Sequence, residues 1–268
     1  MINGMKTRIR KGHGAYMLRQ FFKYIFQSIA GMIGISVYIL ADTFFISVHS
    51  GADGLAVLNL ILPVYGVVYA IGAMIGIGSA TRFGINRAKG ENTDHYFLQS
   101  VFWSVLCSVP FIITGILAPE KFLHLLGADA GLTALGKSYL RIMLITTPLF
   151  MANYTFTAFA RNDQGTSTAM TGAISASLFN IVFDYIFMFP MKLGLAGAAL
   201  ATAISPAITM AICTTHYLGK KNHVGFRWVR PSIRHLISCC QLGISAFVGE
   251  LSSAIITIIF NMLLLGIA

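Results

Sequence analysis

The hydrophobic residues of this chain fall into long runs separated by short polar segments. A helix needs about 20 apolar residues to cross about 30 Å of hydrocarbon. The backbone of such a run must satisfy its own hydrogen bonds, which favours helices, and the runs lack the alternation typical of a membrane barrel. The pattern predicts an all-α membrane protein with seven spans, at residues 24–50, 55–80, 96–119, 142–160, 166–191, 193–219 and 236–268.

Composition supports a membrane location. Of 268 residues, 56% are hydrophobic and 10% are charged, whereas a soluble domain carries about 25% charged residues. The net charge of +10 comes from basic residues clustered between the apolar runs, so we expect a lipid bilayer and no nucleic acid as partner. The four cysteines lack the spacing of a redox or metal site. We therefore expect no cofactor.

The basic residues also predict the orientation of the chain. With the N-terminus inside, fifteen of the nineteen Lys and Arg residues lie on the inside and four on the outside. This asymmetry predicts a cytoplasmic N-terminus in the plasma membrane. The first apolar run is too long for a signal peptide and no small-residue cleavage site follows it, so it is interpreted as a retained span.

The connections between the spans predict two units. Most are short, but the segment before the seventh span is long and basic and contains Pro231. No polar tail follows the last run, so we expect a truncated sequence that lacks most of a C-terminal lobe. The predicted parts are a basic cytoplasmic segment (1–20), a six-helix transmembrane lobe (21–219), an inter-lobe loop (220–235) and the first helix of a second lobe (236–268).

Prolines and glycines predict local features of the spans. A proline inside a span removes a backbone hydrogen bond and should kink the helix, and small residues permit close helix packing. The outside segment 120–140 should hold a short surface helix. The expected kinks lie at Pro63, Pro110, Pro148 and Pro206, and the expected close contacts at Gly72, Gly76, Gly78, Gly194 and Gly197.

Three carboxylates lie inside the predicted spans, namely Asp42, Asp184 and Glu250. Burying one in hydrocarbon costs at least about 2.5 kcal/mol, which indicates a function. Counting residues from the span ends places Asp42, Asp184 and Thr202 roughly 10–14 Å below the outer boundary. Asn180 shares a helix face with Asp184. Such oxygen ligands suit a hard cation or a proton, and two adjacent carboxylates cannot both ionise cheaply.

Other side chains leave alternatives open. Tyr38 lies one turn before Asp42 and could either hydrogen-bond it or be a boundary aromatic. Six of the histidines fall at span ends or in loops and are interpreted as interfacial, so no metal site is predicted beyond sodium at the carboxylate layer. The many Phe, Tyr and Met residues could line a drug cavity, but packing explains most of them.

Several motifs follow one another from Phe21 onwards. They are Val37 with Asp42-Thr43-Phe44-Phe45, Gly51 and Leu55-Ala56; Pro63 and the glycine-rich 72–80; Gly84 with Asn86-Arg87-Ala88-Lys89-Gly90; Tyr139-Leu140-Arg141-Ile142 with Pro148; Phe159-Ala160-Arg161-Asn162-Asp163; and Asn180 to Asp184 followed by 194–202. In the order and spacing of these motifs, the sequence resembles the multidrug and toxic compound extrusion (MATE) transporters.

The resemblance implies a fold of two six-helix lobes that rock to expose a central cavity to each side. It implies a secondary active antiporter that expels organic, often cationic, drugs in exchange for protons or sodium. It also implies a cation- or proton-binding site at Asp42, Asn180, Asp184 and Thr202. Glu250 matches a coupling carboxylate that some members carry in helix seven, with partners expected in the missing lobe.

Three other functions compete with drug efflux. A lipid-linked oligosaccharide or lipid flippase of the same superfamily would need cationic residues in its central cavity, and no span holds a central Lys or Arg. An intramembrane aspartyl protease would pair Tyr-Asp with Gly-x-Gly-Asp, whereas Ala41 precedes Asp42 and Phe183 precedes Asp184. A structural scaffold would not need costly carboxylates within its spans. The sequence therefore favours a transporter over an enzyme.

Overall fold

The computed structural model of the chain describes the backbone of residues 2–220 and 222–267. Side chains are described for residues 21–256 and 259, except 23, 24, 35 and 221. Within this part the chain is helical and contains no strand, which confirms the predicted all-α class. The helices are α1 (Ile2–Ala88), α2 (Tyr96–Leu117), α3 (Pro119–Leu125), α4 (Ala130–Ile145), α5 (Thr147–Asn162), α6 (Thr166–Met188), α7 (Leu195–Tyr217) and α8 (Ile233–Ile267).

Gly51 divides α1 into two limbs. Its backbone has φ 60° and ψ −147°, a conformation that glycine adopts without the penalty a Cβ atom brings. We call residues 2–50 the first limb and residues 52–88 the second limb. The apolar part of α1 is 64 residues long, which is far more than one span requires. The two limbs therefore account for the first two predicted spans.

The fourth span is longer than predicted. Instead of beginning at residue 142 or a turn or two earlier, it consists of α4 and α5, which meet at a bend of 45°. Lys137 and Arg141 made the first half too polar to recognise from hydropathy. Asp129 begins α4 as an N-cap that accepts a 2.7 Å hydrogen bond from the Leu132 amide. The bend lies next to Pro148, as predicted.

The other sequence expectations have mixed outcomes. The predicted surface helix exists as α3. Pro63, Pro110 and Pro206 lie inside helices that continue through them. Residues 2–20 of the predicted cytoplasmic segment belong to α1, which begins at Ile2. The side chains of residues 1–20, of Lys221 and of the end of the seventh span lie outside the part of the chain that the structure describes.

Glycines bring the helices into backbone contact, as predicted. A Cβ atom on Gly72 would lie 2.9 Å from the Met151 Cα atom, and one on Gly76 would lie 2.6 Å from the Thr155 amide nitrogen. A Cβ atom on Gly197 would lie 2.8 Å from the Phe187 carbonyl carbon. Backbone atoms of a neighbouring helix thus occupy the space that each Cβ atom would need. The second limb therefore packs closely on α5, and α7 packs closely on α6.

The same kind of contact docks α8 on the second limb of α1. A side chain at Gly78 would collide with the Cys239 carbonyl, and one at Gly243 would collide with the Met74 carbonyl. Farther along, Gly66 lies against Ala254. We call this contact the α1–α8 seam. It attaches α8 to the six-helix bundle although a coil of about 15 residues separates α8 from α7.

Candidate cation site

The centre of the candidate site is a polar cluster between α6 and α7. Asn180 and Asp184 lie one turn apart on α6, and Thr202 faces them from α7; Asn180 and Asp184 are fully buried. The Asn180 amide satisfies both neighbours when Nδ2 donates to Asp184 Oδ2 over 3.0 Å and Oδ1 accepts from Thr202 Oγ1 over 3.1 Å. The amide thus holds the Asp184 carboxyl group in a defined position.

Asp42 faces this cluster from the first limb of α1. The limb lies close to α6, since a Cβ atom on Gly34 would be 3.6 Å from Ser177 Oγ. Asp42 is 8% exposed and interacts electrostatically with Asp184. One oxygen of each carboxyl group, Oδ1, has no hydrogen-bond partner. Among the described side chains, no Lys, Arg or His forms an ion pair with Asp42 or Asp184.

Tyrosine hydroxyl groups lie near the two carboxyl groups. Tyr38 interacts electrostatically with both. Tyr139 of α4 also does so, and its hydroxyl lies 3.0 Å from that of Tyr65. Sequence reasoning missed Tyr65 and Tyr139 as neighbours of the site. The available signal was a hydroxyl group within an apolar span, which must find a polar partner once it is buried.

Glu250 lies elsewhere, at the α1–α8 seam. Its Oε1 accepts a 3.0 Å hydrogen bond from the Tyr154 hydroxyl of α5. We expected the partners of Glu250 in a second lobe, but it has a partner, Tyr154, in the part of the chain before α8. Tyr154 ends a row of aromatic rings whose neighbouring centroids are 5.7 to 6.2 Å apart and which comprises Tyr65, Tyr69, Phe150 and Tyr154.

A second buried carboxylate cluster, at the basic end of the bundle, was not foreseen from the sequence. Asp163, 1% exposed, accepts a 2.6 Å bond from Arg87. It also contacts His216 and the ring and amide of His223, at 2.9 to 3.1 Å. Burial alone would raise the pKa of Asp163, but the His223 amide, Arg87 and His216 together lower it. We call these four residues the Asp163 network; it joins the ends of α1, α5 and α7 to the loop before α8.

The geometry separates two roles for buried acids. The Asp163 network has a cation and several donors for its carboxylate, as expected of a structural contact. Asp42 and Asp184 instead present carboxyl oxygens near an amide and hydroxyl groups, and no described cationic side chain pairs with them. Such a set of oxygen ligands can take up a proton or a hard cation. The fold thus defines a helical membrane protein with an acidic site inside its bundle.

Comparison with known proteins identifies its family. The MatE family model matches residues 28–186, and the chain belongs to this family of multidrug efflux transporters. Multidrug export protein MepA of Staphylococcus saprophyticus is 27% identical over 236 residues, which cover 86% of this chain and 52% of MepA. The chain spans about half the length of the curated relatives it matches. Family membership gives no support to the protease alternative.

Two solved structures share the fold. The MATE multidrug transporter DinF-BH, solved as a complex with a ligand, has a TM-score of 0.78 and 25% identity, covering 91% of this chain and 56% of that one. An inward-facing MATE transporter of the MOP superfamily has a TM-score of 0.75 and 24% identity, covering 82% of this chain and 51% of that one. The chain is therefore a multi-pass membrane protein with the fold of one part of such transporters.

Proposed function

We propose that this chain forms the first lobe of an exporter that exchanges protons or sodium for organic, often cationic, drugs by alternating access. The observation that carries the proposal is the pair Asp42 and Asp184, which are buried among spans without a cationic partner in the described part of the chain. A buried charge in that position is costly unless a mobile cation neutralises it. The site therefore has a reason to bind an ion and to bind it reversibly.

The positions of the two carboxyl groups indicate how binding acts on the helices. Asp184 is held by Asn180 on α6, whereas Asp42 belongs to the first limb of α1. Uptake of a proton or sodium removes the repulsion between the two groups, so the first limb can move closer to α6. Release of the ion restores the repulsion. In the proposed cycle, the neutral state releases the drug outward and the charged state favours drug binding.

The aromatic row supplies surfaces of the kind that organic cations bind. Ring faces attract cations, and Tyr69 contacts the rings of Tyr65, Phe150 and Tyr154. Glu250 adds a carboxylate at the end of the row. The names of the related proteins, one a multidrug export protein and one a multidrug transporter in a ligand complex, agree with small-molecule drugs as substrates.

Energetics limit the exchange ratio. One charge crossing 100 mV is worth about 2.3 kcal/mol, so one proton exchanged for one monovalent cation gains nothing from the voltage. A pH difference of about one unit then supplies about 1.4 kcal/mol, or roughly a tenfold drug gradient. Steeper gradients of a monovalent cation require two ions per drug. Asp42 and Asp184 could bind one each.

The test replaces Asp42 in the protein expressed from its complete reading frame. Asp42→Asn keeps the shape of the side chain but abolishes its titration, so we expect efflux of a cationic dye driven by a pH or sodium gradient to fall to the level of cells without the transporter. Asp53→Asn is the matched control, because Asp53 is exposed on the same helix. Unchanged ion-driven efflux in Asp42→Asn, with equal membrane levels, would contradict the proposal.

A further inference from the structure

A cavity at the basic end of the bundle is unrelated to the carboxylate pair. Its volume is about 410 Å³, and it opens between the second limb of α1, the start of α2, the loop before α8 and the start of α8. Three arginines line it, Arg82, Arg230 and Arg234, and no Asp or Glu does. None of these arginines forms an ion pair with a carboxylate of the described residues. The cavity thus concentrates positive charge that has no counter-ion.

The walls of the cavity are ordered by their own contacts. The Tyr96 hydroxyl accepts a 2.7 Å bond from Asn86 Nδ2 and lies against Arg82. The His235 ring lies 4.5 Å from the Tyr96 ring and 5.2 Å from the His95 ring. Burial lowers the pKa of His95; the neighbouring Asp94 opposes this shift and Arg227 adds to it. The charge of the cavity is therefore carried chiefly by the arginines.

Gln99 is an independent indication of a ligand. It lines the cavity, is 4% exposed, and its Oε1 has no hydrogen-bond partner. A buried carbonyl oxygen without a donor is unfavourable, so a hydroxyl group that enters the cavity and donates to it would stabilise it. The arginines can bind an anion, and Gln99 Oε1 can accept a hydrogen bond from a hydroxyl group. A phosphodiester with a free hydroxyl, such as a glycerophosphoryl headgroup, offers both.

We propose that this cavity binds the phosphate of an anionic phospholipid headgroup, of the phosphatidylglycerol type. The cavity lies where spans end, at the level of headgroups, and at the end of the bundle richest in basic residues, which the positive-inside rule assigns to the cytoplasmic leaflet. Exposed apolar residues beside it, Ile233 and Ile237 of α8, offer a surface for an acyl chain. A free phosphate shares this chemistry but would not need that surface.

The bound headgroup would connect the bundle with α8. Arg82 and Gln99 belong to the six-helix part of the chain, whereas Arg230 and Arg234 belong to the loop and to α8. Without an anion the arginines repel one another across this boundary. With an anion each of them gains a shared partner, so the lipid stabilises the docked position of α8.

The test measures lipid binding by the full chain purified in detergent. Native mass spectrometry and thermal unfolding are recorded with phosphatidylglycerol, phosphatidylcholine or inorganic phosphate. We expect phosphatidylglycerol to bind and to stabilise, and the triple variant Arg82→Gln, Arg230→Gln, Arg234→Gln to bind it at least about tenfold more weakly, because each basic side chain near the surface contributes to anionic-lipid binding. The control triple variant, Lys89→Gln, Lys121→Gln, Lys220→Gln, removes equal charge at exposed positions outside the cavity and should bind normally.

Gln99→Leu separates ligand binding from folding. Because Gln99 Oε1 has no partner, this variant should be at least as stable as the parent without lipid, yet gain less stability from phosphatidylglycerol. Equal weakening in the two triple variants, or equal binding of phosphatidylcholine, would overturn the proposal. Binding of inorganic phosphate without phosphatidylglycerol would overturn the lipid assignment, whereas competition between the two would support it.

Discussion

Asn180 is the residue on which the geometry of the acidic site depends. Its amide is shared between Asp184 and Thr202, so it fixes the carboxyl group of α6 relative to α7. The sequence could predict that Asn180 and Asp184 share a face, because they are four residues apart on one helix. It could not predict the direction of the amide, because that depends on where α7 packs.

We expect Asn180→Ala to impair the site and the fold together. Asp184 and Thr202 would lose a buried partner, which costs about 1–3 kcal/mol of unfolding free energy. Gradient-driven dye efflux should fall strongly at equal membrane level. Asn153→Ala is the control: Asn153 Oδ1 has no partner, so its loss should lower stability less. Thermal unfolding in detergent compares the two variants, and equal destabilisation would show that the shared amide has no special role.

At the scale of helices, the length of the apolar runs was sufficient to predict the spans without basic residues, but not the span that contains them. The sequence predicted α2, α6 and α7 to within a few residues, since Asp184 of α6 is the one Asp, Glu, Lys or Arg in these three helices. It missed the first half of the α4–α5 span, because Lys137 and Arg141 interrupt the run. It also could not foresee the Asp163 network, whose members lie on four segments that only tertiary packing brings together.

The α1–α8 seam gives a prediction at this scale. Gly243→Ala places a methyl group where the Met74 carbonyl lies, so α8 should separate from the second limb or tilt. We expect a lower unfolding temperature, and a longer distance between spin labels placed on α2 and on α8.

Gly249→Ala on the same helix is the control for that experiment. A Cβ atom there meets nothing within 4 Å, and alanine favours a helix by about 0.8–1 kcal/mol over glycine. This variant should keep the label distance and lose no stability. If both variants behave alike, the close backbone contact does not determine the position of α8.

For the whole molecule, the sequence indicated the fold class and the family. It could not show whether the predicted inter-lobe loop is held against the bundle, because the residues that contact this loop are distant in sequence. The loop before α8 is in fact attached to the bundle: the Arg227 amide donates to the Asp94 carbonyl over 3.0 Å, and Val224 is buried.

The orientation of the molecule in the membrane remains a prediction from its charges. In a variant without native cysteines, Asp129→Cys should react with a membrane-impermeant maleimide added to intact cells. Glu91→Cys should react only after the cells are opened, because the basic end faces the cytoplasm. Both positions are exposed, at opposite ends of the bundle. The reverse labelling pattern would invert the orientation, and with it the leaflet of the lipid proposal.

The tether between the bundle and α8 has a geometric consequence. The Asp163 network holds the loop at His223, and the Arg227 amide donates to the Asp94 carbonyl, so the segment that leads into α8 is attached to the bundle. A helix of 35 residues is about 52 Å long. Tilting it by about 10° around its tethered end would displace the opposite end by about 9 Å. A small rotation beside one membrane surface would thus become a wide opening at the other.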